Sequence, residues 1–127
     1  MTPRTKWTRD ELLIALNLYH KLTFGQMHPR QPVIIQVARK MNRPVNSLAL
    51  KLVNLASLDP ALKLRGIKGM DRASKLDRLM WTEFHSHLDE AAPASEEAMR
   101  KLFEVADGYD MEVRPKLGIA TRRTPPS

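Results

Sequence analysis

The chain has 127 residues, 43% of them hydrophobic, which fits one domain with a modest core, or one domain and a tail. No run reaches the roughly 18 apolar residues that a membrane span requires, and the polar, basic N-terminus has no apolar segment of a secretory signal. With no cysteine, disulfides and thiolate metal sites are excluded; a reducing cytoplasm is the expectation. The net charge of +7 is uneven: Lys and Arg dominate residues 1–80, acidic residues dominate 81–110, and the last residues are basic again. A polyanion would meet the N-terminal two-thirds first.

In chain order, Thr8 and Glu11 form a capping box that opens a first helix. Leu12, Leu13, Leu16 and Tyr19 recur at helical spacing, and Trp7 precedes the cap, where it can staple onto Leu12. This helix is predicted to end near Lys21. A loop over 23–31 contains Gly25, His28 and Pro29. Pro32 suits the first position of a second helix, with Val33, Ile34, Val37, Ala38 and Met41 as its buried stripe. Asn42 is a candidate left-handed cap, and Pro44 forbids simple continuation. A third helix is predicted over 45–55, with Val45, Leu48, Ala49, Leu52 and Leu55 inward. Asn46, Ser47, Leu50, Lys51 and Asn54 then face outward.

Asp59 and Pro60 start a short helix to about Arg65, and 66–69 is a turn with two glycines. Ser74 and Asp77 resemble a capping box. The helix that follows is expected to bury Leu76, Leu79, Met80, Phe84 and Leu88. Residues 91–94, with Pro93, are expected to break it. Ser95 would cap a last helix whose stripe is Met99, Leu102, Phe103 and Ala106, ending near Gly108. The expectation is an all-α fold: a small helical domain with a three-helix helix-turn-helix core plus two or three further helices. Residues 1–108 form this domain, and 109–127 form a flexible basic tail or linker.

The second and third helices and their tight turn carry the functional signal, since an exposed helix face of amides, a hydroxyl and a cation suits reading base edges. Asn46, Ser47, Leu50, Lys51 and Asn54 are the base-edge candidates. Arg39, Lys40, Arg43, Lys68 and Arg72 are the phosphate candidates. Lys63, Arg65, Lys68, Arg72, Lys75 and Arg78 cluster around the glycine turn, either as a phosphate grip or as an exposed connector.

The layout Trp7, Thr8, Glu11 followed by this helix pair resembles Myb-like and homeodomain-like DNA-binding units. A closer resemblance runs over 7–87. WTRDELLIALNLY at 7–19, FGQ at 24–26, KLVNLASLDPA at 51–61, RGIKG at 65–69, ASK at 73–75 and WTEFH at 81–85 are similar to the N-terminal region of bacterial HNH-type restriction endonucleases. The resemblance implies duplex-DNA binding, in a restriction-modification setting, by a part that is not itself the enzyme. Chemistry would belong to a covalently linked HNH nuclease domain, whose histidine and ββα frame this sequence does not show. One departure is the turn Asn42, Arg43, Pro44, where the related pattern has Gly, Arg, Thr.

Other chemistry is weakly signalled. His85 and His87, two apart on a helix, diverge and are poor co-ligands. Ser74 reads as a cap, and no serine has a base paired with it in sequence. The glycines at 66 and 69 lack the Lys and Ser/Thr of a P-loop. No catalytic residue, metal or cofactor is therefore expected; double-stranded DNA is the expected partner, with a homodimer possible. A protein–protein adaptor using the acidic C-terminal helices, or a standalone transcriptional regulator, is the alternative.

Overall fold

The structure, a computed structural model, describes residues 6–67 and 72–106. These form a small all-α domain: α1 (Arg9–Lys21), a 3-10 turn (Phe24–Gln26), α2 (Pro32–Met41), α3 (Val45–Ala56), α4 (Pro60–Leu64), α5 (Lys75–Ser86) and α6 (Leu88–Ala106). No strand occurs among the described residues. Lys68, Gly69, Gly108 and the proposed 109–127 tail lie outside them.

Local chemistry fixes the helix ends. Thr8 Oγ1 accepts from the Glu11 N–H at 3.1 Å, and Glu11 Oε1 accepts from the Thr8 N–H at 3.0 Å. Pro32 opens α2. Asn42 ends it in the left-handed region at φ 60°, and the Arg43 N–H closes back onto the Ala38 carbonyl at 3.0 Å. Asp59 caps α4, its Oδ1 accepting from the Ala61 N–H at 2.9 Å. Gly66, at φ 78°, ends α4, with the Ile67 N–H bonded to the Leu62 carbonyl.

α1 is the central helix. Ile14, Ala15, Leu16, Asn17, Leu18 and Tyr19 are all buried, so it is covered on nearly every side rather than along one stripe. α3 and α5 pack on it, and its most extensive neighbour is α6. α2 lies against α3 and α6. The core joins Leu12, Leu16, Ile34, Val37, Leu48, Leu52, Leu55, Met80 and Phe84.

α6 departs from expectation. Residues 91–94 do not break a helix; α6 runs through Pro93. Proline removes one donor, toward the Asp89 carbonyl, but Asp89 and Pro93 are both exposed, so water can satisfy that oxygen. The break instead falls at His87, whose carbonyl accepts from the Glu90 and Ala91 N–H groups at the start of α6. Ser95 is therefore not a cap. It is 1% exposed, its Oγ donates to the Ala92 carbonyl at 2.8 Å and accepts from Asn17 Nδ2 at 3.0 Å. Leu79 and Leu88 are also corrected: they are 48% and 49% exposed. The inward face of α5 is Asp77, Met80 and Phe84, a spacing of three and four that rotates Leu79 out.

The Asn17–Ser95 contact joins α1 to α6, and a double-mutant cycle with Asn17→Ala and Ser95→Ala reads it. A coupling of about 0.5–3 kcal/mol in urea denaturation is expected. Additive losses would contradict the contact and restore the capping role.

Candidate nucleic-acid interface

α2, the Asn42 turn and α3 form the helix pair that sequence reasoning singled out. On α3, Asn46 is exposed, Ser47 half-buried and Leu50 45% exposed. Arg39 on α2 and Arg72 before α5 are exposed. The other proposed contacts sit differently.

Lys51 is buried. Its Nζ donates to both carboxylate oxygens of Asp77, at 2.9 and 3.0 Å, and Asp77 is 0% exposed. Asp77 does two jobs: Oδ2 also accepts from the Ser74 N–H at 2.9 Å, while the Asp77 N–H donates to Ser74 Oγ at 3.0 Å. The ion pair thus pins α3 to the capping box of α5. Asn54 is also buried, at 7% exposure, and its Oδ1 has no hydrogen-bond partner among the described residues. Neither Lys51 nor Asn54 can meet a base edge in this fold. The expectation that they face outward is thus corrected: at about 100° per residue Lys51 lies only about 40° from Leu55, so it flanks the buried face, and Asp77 of α5 packs against it there.

Arg43 is likewise withdrawn from the phosphate candidates. Its Nε donates to Glu11 Oε2 at 2.9 Å and its Nη2 to Glu11 Oε1 at 2.8 Å, a two-pronged pair, and Nη2 also reaches the Lys6 carbonyl at 3.1 Å. Its side chain is 9% exposed. The guanidinium lies 4.3 Å from the Trp7 ring centroid, and Lys51 Nζ lies 5.1 Å from the same ring. Trp7 thereby touches both buried cations. Burial pushes the Glu11 carboxyl up, but the bonds and charge of Arg43 and the Thr8 N–H outweigh it, and the net shift is downward. Lys40 is half-buried, with Nζ 5.5 Å from the Phe103 ring centroid, so it faces α6. Lys68 lies outside the described residues.

What remains outward is the N-terminal half of α3 (Asn46, Ser47, Leu50) and, near the α5 start to which Lys51 ties α3, the exposed Arg72, Lys75 and Arg78. Lys63 and Arg65 of the α4 end are exposed too. The signal in sequence for the buried pair was Asp77 itself, a short acid where a capping box has Glu, aimed at a lysine in a helix of mostly apolar residues.

Lys51→Ala would strand the Asp77 carboxylate in the interior, and a loss of about 3–5 kcal/mol is expected in chemical denaturation. Asn46→Ala, on the surface, should stay within about 0.5 kcal/mol. Equal small effects would show Lys51 to be solvated. Acid should also find the Glu11–Arg43 pair. With its folded pKa lowered, Glu11 contributes fully above its ordinary value of 4.5, and that contribution is lost as pH falls through the lower folded value. Arg43→Gln should therefore be less stable at neutral pH and show a shallower acid limb than the parent; parallel limbs would count against the pair.

Compared with protein-family models, curated proteins and solved structures, the chain shows no significant match.

Proposed function

We propose that this chain is a DNA-binding domain that docks on duplex DNA through the N-terminal half of α3. The observation that supports this most is that Asn46 and Leu50 are exposed, with Ser47 half-buried between them, on the second helix of a tightly turned pair that Lys51 ties to the start of α5, where Arg72 and Lys75 are exposed. Asn46 offers an amide suited to two bonds with adenine, Ser47 a hydroxyl, and Leu50 an apolar contact for a thymine methyl. Arg39, Arg72 and Lys75 supply phosphate contacts on either side. The buried cations Lys51 and Arg43 hold the helix pair rigid instead of touching DNA. This agrees with the resemblance to the DNA-reading part of HNH-type restriction endonucleases, in which case catalysis belongs to a separate nuclease domain.

A second reading, a docking or self-association surface, is favoured by Leu64, Leu79 and Leu88, which are 89%, 48% and 49% exposed. Among the described residues, no helix is long and apolar enough to cross a membrane.

Fluorescence anisotropy against a randomised duplex pool, with and without cytosine methylation, separates the two. DNA binding should weaken steeply with salt. Asn46→Ala should cost about 1–3 kcal/mol of affinity without loss of fold, and Arg72→Ala or Lys75→Ala should each reduce the salt slope by about 1. Absence of binding at low salt, with a concentration-dependent dimer in sedimentation, would favour the second reading.

A further inference from the structure

Away from the α3 strip, α1 and α5 bring two histidines together that sequence spacing could not pair. His20 Nε2 and His85 Nε2 lie 2.9 Å apart. His85 Nδ1 lies 2.7 Å from the Trp81 carbonyl oxygen, which can only accept, so Nδ1 carries the proton and Nε2 presents a bare lone pair. That is the tautomer a metal ion takes, fixed by a backbone carbonyl behind the ring, as in many histidine–metal sites. Aromatic neighbours flank both rings. His20 stacks on Phe84 at 5.6 Å and 16°, and His85 lies 4.1 Å from the Trp81 ring. Both histidines are nonetheless exposed, so an ion can reach them from solvent.

We propose that His20 and His85 form a two-histidine site for a divalent transition-metal ion, one that clamps α1 to α5. Two nitrogens each about 2.0–2.1 Å from one ion are about 2.9 Å apart at a right angle and about 3.3–3.4 Å apart at a tetrahedral angle. The observed 2.9 Å is the hydrogen bond of the free pair, and it leaves both Nε2 atoms within reach of one ion after a small rotation of the rings. In the free pair, His20 Nε2–H donates to the His85 lone pair. Binding exchanges that hydrogen bond for two metal–nitrogen bonds: the His20 proton moves to Nδ1 through water, and both Nε2 lone pairs turn onto the ion. Water completes the coordination shell, since among the described residues no group of three or more His, Asp or Glu converges on one point. The site is independent of the DNA reading, and either can fail alone.

The test uses the full chain and NiCl₂. A ¹H–¹⁵N spectrum tuned to histidine side chains should show the His20 and His85 Nε2 signals lost or shifted at one ion per chain, with His28 and His87 unmoved. The unfolding midpoint should rise with NiCl₂ in the parent and in His87→Ala, and that rise should be lost in His85→Asn. His20→Asn serves as the second variant, should His85→Asn not fold. A rise that survives both substitutions, or no signal change at excess NiCl₂, would overturn the site.

Discussion

Lys51 and Asp77 meet where three helices converge, and much of the rest follows from that contact. A charged pair in the interior is worth having only when its remaining hydrogen-bonding capacity is filled. Here Asp77 accepts a third bond, from the Ser74 N–H, and Lys51 sits beside the Trp7 ring. The same pattern repeats at α1, where Glu11 caps the helix and also holds the Arg43 guanidinium. Each third-position carboxylate therefore closes its own helix and receives a cation from the α2–α3 unit. Trp7 contacts both cations. Two helix starts and one helix pair are thus locked to one another by five residues.

That lock decides which cations face outward. A chain with net charge +7 would have a diffuse positive surface if every lysine and arginine were solvated. Folding withdraws Arg43 and Lys51 and turns Lys40 toward Phe103. Arg9 and Lys21 are paired with Glu83 and Glu96, at 2.5 and 3.1 Å. The exposed cations that remain include Arg39 on α2 and Lys63, Arg65, Arg72 and Lys75 around the α4–α5 junction. α6 meanwhile lies along α1 and touches α2, and its own surface carries the Glu97–Arg100–Glu104 network.

Much of this was legible in sequence wherever a cap or a turn carries a local chemical signature. Thr8 with Glu11, Asp59, Ser74 with Asp77, Pro32 and the left-handed Asn42 all mark ends that the structure reproduces. The all-α class followed from the same periodicity. What was not legible depends on long-range packing. Helical periodicity gives one buried stripe, so it could not foresee that α1 is enclosed by α6 or that burial of α3 extends past its stripe to Lys51 and Asn54. Pro93 read as a breaker because its exposure on the first turns of α6 is a tertiary fact. His20 and His85 stand 65 residues apart, so no spacing rule could pair them.

The account rests most heavily on Lys51 being a buried structural cation. A ¹H–¹⁵N spectrum of the lysine ammonium groups at near-neutral pH tests this directly, because only an ammonium shielded from water and hydrogen-bonded keeps its protons long enough to be seen. One protected signal is expected, assigned to Lys51 by its loss in Lys51→Arg and unmoved by saturating duplex DNA. A Lys51 ammonium that exchanges as fast as surface lysines, or whose signal shifts on DNA addition as a contacting group would, contradicts the account.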